Sequence, residues 1–198
     1  MFNTDYDFNS QDFVNKEKTK KKQIILCHTS CTISQYLKKI TTRDNKKYDK
    51  IPHFTIDLAG NVYSHIDPQF TSNFIGVETI DKDSIIVILE NVGWLNYNVE
   101  QTRFFDWMGN EYFGKKVEKL WRNKRYWAEY TEDQILSLIT LLNYLCEEYS
   151  ITKDFTGNNI TITKPRSFKG ILNRSNYNKN YYDLSPAMDF EIITNNVK

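Results

Sequence analysis

The sequence predicts an α/β fold with a central mixed β-sheet flanked by helices, and three observations carry that prediction. First, Ile24-Ile25-Leu26-Cys27 and Ile85-Ile86-Val87-Ile88-Leu89 are continuous apolar runs, the pattern of strands covered on both faces. Second, Ile135, Leu138, Ile139, Leu142, Leu145, Cys146 and Tyr149 recur at three- and four-residue steps, so Thr131 to Ser150 reads as an amphipathic helix covering one face of that sheet. Third, Ile51 to Asp57 and Asn61 to Ile66 alternate around Leu58-Ala59-Gly60, the mark of a hairpin. At 198 residues the chain is long enough for one sizeable core. The organisation expected is an extended polar arm over residues 1–22 and a single domain over 23–198.

The arm ends in Lys16, Lys18, Lys20, Lys21 and Lys22, a run read as solvated, with an anionic partner as the other reading. Gln23 to His28 is the first strand, and it delivers His28 to the rim of the sheet. Open sheets with parallel strands bind ligands at their strand carboxyl ends, so His28 is a candidate metal ligand or acid/base group; the alternative is a histidine that caps the core. Thr32 to Ile40 places Ile33, Leu37 and Ile40 on one helical face. Pro52 belongs at the beginning of the first hairpin strand, where no ladder donor is missed. Ser84 to Glu90 is the central strand.

From Val92 to Tyr130 the pattern becomes loop-rich and dense in aromatic residues, so about 92–130 is expected to be an insertion. Its tryptophans Trp94, Trp107, Trp121 and Trp127 could stack on sugars, anchor a protein partner, or form a satellite core under the insertion. Thr131 and Gln134 form a capping box at the start of the long helix. Phe155 to Thr161 reads as a short strand leading into a loop. A second insertion is expected at about 159–181, with Ser167 to Asn176 a strand or irregular, and Tyr182 to Phe190 closes the fold.

Composition narrows the function. Twenty-six basic against 25 acidic side chains leave a formal charge of +1, which gives no electrostatic reason for nucleic-acid binding. No apolar run approaches the roughly 20 residues that span a bilayer, and the first residues do not resemble a signal peptide, so cytoplasmic synthesis is expected. Cys27, Cys31 and Cys146 are an odd number with no C-x-x-C spacing, which indicates neither a disulfide framework nor a thiolate zinc knuckle.

Read together, the pieces resemble the zinc N-acetylmuramoyl-L-alanine amidases of the type 2 amidase family, which includes phage lysozyme-like amidases and peptidoglycan recognition proteins. The resemblance rests on Leu26-Cys27-His28-Thr29-Ser30, on the hairpin Pro52 to Tyr63, on Ser84 to Asn91, on the capped helix from Tyr130-Thr131-Glu132-Asp133-Gln134, and on Asp183-Leu184-Ser185-Pro186-Ala187-Met188-Asp189-Phe190. It implies three zinc ligands with an open position for a water that the metal acidifies. His28 and Asp183 match two of these ligands. At the third, where the family has histidine, stands Asn158, with Arg174 the other candidate for the altered position; Cys31 is a conceivable compensating ligand. The proton-handling Tyr or Glu is matched by Pro52 and Ile88, and Glu90, two residues beyond Ile88 on the same strand face, is the substitute. The basic residue before the final ligand is replaced by Tyr181.

These departures favour an amidase fold with an eroded catalytic site and no cofactor, or only weakly bound zinc. On that reading the protein is a non-catalytic structural or interaction component of a phage particle, assembled in the host cytoplasm with other virion proteins or copies of itself. Two alternatives are kept: a zinc-dependent amidase that hydrolyses peptidoglycan, and a module that binds peptidoglycan without cutting it.

Overall fold

A computed structural model describes residues 2–46, 48–157, 160–162, 164, 167–176 and 178–198. Its centre is a five-stranded mixed sheet in the order β3-β2-β4-β1-β9, with β1 at Gln23–His28, β2 at Phe54–Ile56, β3 at Val62–Ser64, β4 at Ser84–Leu89 and β9 at Gly170–Asn173. β1 runs parallel to β4 and β9, β2 runs parallel to β4, and only β3 is antiparallel. The four parallel strands therefore end at one rim.

Every residue of β1 and β4 is buried, as the continuous apolar runs require. Their alternation sorts them into two cores. Ile24, Leu26, Ile85, Val87 and Leu89 meet α3 (Glu132–Glu148) and α4 (Phe190–Asn196) through Leu138, Leu142, Leu145 and Ile193. On the other face Ile25, Cys27, Ile86 and Ile88 meet α1 (Ile33–Thr42) through Tyr36, Leu37 and Ile40, and Ile80 of the short α2 (Glu78–Asp83). Each large aliphatic side chain so buried contributes roughly 1.5–3 kcal/mol.

The hairpin turn packs directly on the start of α3. Gly60 has φ +79°, and a Cβ there would lie 2.8 Å from the Asp133 carbonyl oxygen and from Ser137 Oγ, so the close approach needs glycine. Thr131 caps α3 as expected, accepting from the Gln134 amide at 3.2 Å. The reciprocal half of the capping box is not made. Gln134 is instead fully buried, and its Nε2 donates to the carbonyls of Ile56 and Glu90 at 3.1 and 3.0 Å, tying the helix to two strand ends. The complete capping box belongs to α1, between Thr32 and Gln35.

The segment before β1 lies along the hairpin edge: Asn3 and Phe8 donate to the carbonyls of Val62 and His65 at 2.8 Å each, and Val14 is buried. Where a short strand is expected over 155–161, Phe155 makes an isolated bridge to Ile171, and residues 158 and 159 lie outside the described residues.

The largest correction concerns residues 92–130. They are not loop-rich; they form a second, four-stranded antiparallel sheet in the order β6-β5-β8-β7, with β5 at Trp94–Asn98, β6 at Arg103–Phe105, β7 at Lys116–Trp121 and β8 at Lys124–Ala128. Cross-strand rings hold it, Tyr97 and Phe104 at 4.8 Å between centroids and Phe104 and Tyr126 at 5.0 Å. Cations cover exposed ring faces, Lys124 over Trp94 and Lys116 over Phe104. The hydrophobic alternation is masked because Lys and Arg stand where an ordinary sheet would place apolar residues. Arg122-Asn123, both at positive φ, make the tight turn that joins β7 to β8.

Candidate functional site

β1 and β4 end side by side, and their shared exit is fastened by Thr29. Its Oγ1 accepts from the Asn91 amide at 3.1 Å and its own amide donates to the Leu89 carbonyl. His28 is 6% exposed at this rim. Its Nδ1 lies 3.4 Å from the Tyr130 hydroxyl, and Gly93 backs the ring: a Cβ at Gly93, where φ is +86°, would lie 3.3 Å from His28 Cε1 and Nε2. Burial lowers the His28 pKa to about 4, against a partly compensating pull from Asp183, so the imidazole is neutral at neutral pH.

Asp183 is 1% exposed and accepts the His28 backbone amide at 3.3 Å. The partner that neutralises it is Arg174, in the turn that follows β9: Nη2 lies 2.8 Å from Oδ2 and Nε 3.2 Å from Oδ1, a two-pronged pair across nine positions of sequence. Burial works against the Arg174 charge, but Asp183 outweighs it and holds the guanidinium more firmly protonated than usual. Tyr181 stacks under the guanidinium at 4.1 Å. The intervening loop is gripped from the second sheet, because Arg122 donates to the carbonyls of Lys179, Tyr181 and Ser175.

The structure thus unites His28, Asp183 and Arg174. Of the two alternatives for the third position, Arg174 stands beside Asp183, and Asn158 lies outside the described residues. It keeps the remaining candidates apart. Glu90 is 7% exposed, and both its oxygens are engaged: Oε1 accepts the Ile33 amide at 2.7 Å, at the start of α1, and Oε2 accepts the Leu58 amide at 3.0 Å, at the hairpin turn. Ile88 is in the core. Cys31 directs its thiol to the Thr29 carbonyl at 3.5 Å. His53 and His65 are buried in hydrogen bonds with Phe70, Ile86, Tyr6 and Thr55, away from the rim. The tryptophans divide as well: Trp94 and Trp107 line a depression beside His28, Trp127 is fully buried, and Trp121 stacks on Trp127 and Tyr182.

Taken by themselves, His28, Asp183 and Arg174 do not make a zinc site. A closed or catalytic zinc site takes at least three protein donors, and among the described residues no group of three or more His, Cys, Asp or Glu side chains converges. The guanidinium also faces both carboxylate oxygens, so a metal bound there would have to displace one cation with another.

Two depressions open around the cluster. One, of about 540 Å³, is walled by Tyr36, Lys39, Tyr48, Lys50, Phe74 and Arg174; the other, of about 280 Å³, by Gly93, Trp94, Trp107, Asn180, Tyr182 and Asp183. His28 borders both. A separate cavity of about 580 Å³, between the N-terminal segment, β3 and α3, contains none of these groups. Sequence reading missed Lys39, Tyr48, Lys50 and Phe74 because they come from α1 and from irregular segments that no motif marks. It missed Arg122 because the tight turn carrying it has no glycine.

A family model described as N-acetylmuramoyl-L-alanine amidase matches residues 17–171. No curated protein matches the chain. Among solved structures, the chain is similar to the N-acetylmuramoyl-L-alanine amidase LysC from Clostridium intestinale at a TM-score of 0.59 and 15% identity, covering 100% of this chain and 97% of that one. PlyL is similar at a TM-score of 0.56 and 11% identity, covering 100% and 98%. AmpDH3 from Pseudomonas aeruginosa, solved in complex with anhydromuramic pentapeptide, is similar at a TM-score of 0.56 and 12% identity, covering 96% of this chain and 64% of that one. At these identities the structural likeness speaks to the fold.

Proposed function

The chain belongs to the N-acetylmuramoyl-L-alanine amidase family, and from that premise we propose that it is a non-hydrolytic member, which uses the strand-end cleft to hold a peptidoglycan-derived glycopeptide. The observation that carries this reading is the Arg174–Asp183 pair. Amide hydrolysis needs an activated water and a group to stabilise the oxyanion. Here the carboxylate that the resemblance assigns to the metal is spent on a guanidinium, and the Glu90 oxygens are spent on backbone amides. What is left suits binding. Trp94, Trp107, Tyr181 and Tyr182 border the depressions and offer ring faces to sugars, and AmpDH3, of the same fold, was solved with a muramyl peptide. The test is incubation of the purified protein with bacterial sacculi, with and without added zinc. Co-sedimentation without release of peptide is expected; zinc-dependent release abolished by His28→Ala would restore the enzyme reading.

A second reading, a contact protein within a larger assembly such as a phage particle, is favoured by the second sheet and its flanking loops. They expose Val99 (75%), Phe113 (85%) and Leu120 (78%), more apolar surface than isolated rings require. A virion that loses this chain when these three residues are made polar would support it; unchanged incorporation would count against it.

A further inference from the structure

The 540 Å³ depression differs from the rest of the surface in charge. Lys39, Lys50 and Arg174 line it, and among the described residues no carboxylate side chain does, although the chain as a whole is nearly balanced at +1. Arg174 is answered by Asp183, but neither Lys39 nor Lys50 has an ion pair among the described residues. Burial, and then the nearby Arg43 charge, lower the Lys39 pKa, with Cys31 opposing and Arg174 adding to the fall. The wall also holds an orphan. Tyr36 is 4% exposed, and its hydroxyl is buried without a hydrogen-bond partner among the described residues. A buried hydroxyl left unsatisfied is costly, so its environment is completed when an acceptor enters. Aromatic walls from Tyr48, Phe74 and Tyr181 lower the local dielectric and strengthen any charge pairing made there.

We propose that this cavity is an oxyanion-binding site that works without metal, taking a carboxylate or phosphate group between Lys39 and Lys50 with the Tyr36 hydroxyl as a hydrogen-bond donor. It deepens the glycopeptide reading by naming the chemical group that the protein recognises. The cations Lys39 and Lys50 supply attraction and Tyr36 supplies direction. Arg174, already paired, contributes fixed positive potential at the back of the cavity.

The test is calorimetric titration of the full chain, dialysed against a chelator, with N-acetylmuramyl dipeptide, with the same compound amidated at its carboxyl groups, and with inorganic phosphate. Co-sedimentation with sacculi is run in parallel. Binding of the acid but not the amide assigns the carboxylate as the source; binding of phosphate in its stead assigns that source and leaves the oxyanion site standing. In the Lys39→Ala/Lys50→Ala variant, Kd should rise about tenfold or more with melting temperature unchanged, and in Tyr36→Phe by roughly fivefold with melting temperature unchanged or raised, because the orphaned hydroxyl is gone. Equal affinity for acid and amide with no phosphate binding, or an unchanged Kd in the lysine variant, overturns the proposal. So does failure of both anions to bind. If sacculi are retained by wild type and lysine variant alike, only the oxyanion site falls; if wild type retains none, the glycopeptide reading falls, and the titrations alone decide the cavity.

Discussion

Two carboxylates are buried at the same end of the central sheet, and they are neutralised in opposite ways. Asp183 is met by a full positive charge from Arg174 at 2.8 Å, whereas Glu90 is met by two neutral backbone amides at the start of α1 and at the hairpin turn. The first arrangement is strong only as a pair, since each ion is expensive to bury alone. The second spreads one charge over dipoles that the fold supplies anyway. A site built on the first can be reprogrammed by a single substitution; the second acts as a joint between elements.

The largest effect should therefore follow loss of one ion. Arg174→Met is expected to cost about 3–5 kcal/mol, read from urea unfolding, with much of that recovered by adding Asp183→Asn. A cost below about 1 kcal/mol would mean that water already solvates Asp183 and the contrast with Glu90 is false. Arg174→His sharpens the comparison chemically. It replaces the guanidinium by a third metal donor beside His28 and Asp183, so metal analysis should find about one zinc per chain in the variant and none in the wild type. Equal zinc content in both would undo the fit argument.

Glu90→Gln should cost less, about 1–2 kcal/mol, because one amide oxygen still accepts while the NH2 group confronts the other backbone donor.

Acidification tests the three buried histidines, of which His28 stands beside Asp183. His28 and His65 titrate near pH 4 and His53 near 3 in the folded protein, each lowered first by burial, against about 6.5 unfolded. Between those values the unfolded chain binds more protons, so stability is complete above about pH 6.5 and falls as the pH drops toward 4. His28→Gln should flatten the dependence of unfolding free energy on pH by about one proton's share; an unaltered slope would show that His28 is already solvated. The smallest effect on stability belongs to Trp107→Ala, within about 0.5 kcal/mol because the ring is 52% exposed, although glycopeptide binding should weaken.

The same contrast between concentrated and distributed interactions explains what could be read from the sequence. β1, β4 and α3 announce themselves because burial demands uninterrupted or strictly periodic apolar residues. The second sheet is silent because its stability is shared among ring pairs and overlying cations, which in sequence look like an aromatic-dense loop. In the cleft, His28 and Asp183 were legible through the order of motifs. That Arg174 stands beside them while Glu90 turns away was not, because a two-residue offset on a strand fixes a face but not which backbone amides a side chain will find. Lys39 and Lys50 carry no local signature at all; only tertiary folding makes them neighbours.

Arg174 gives Asp183 a positive partner that is encoded in the gene rather than acquired from the surroundings. Such a partner is stoichiometric from synthesis and, because a guanidinium does not deprotonate in proteins, keeps its charge across the pH range in which the chain is folded.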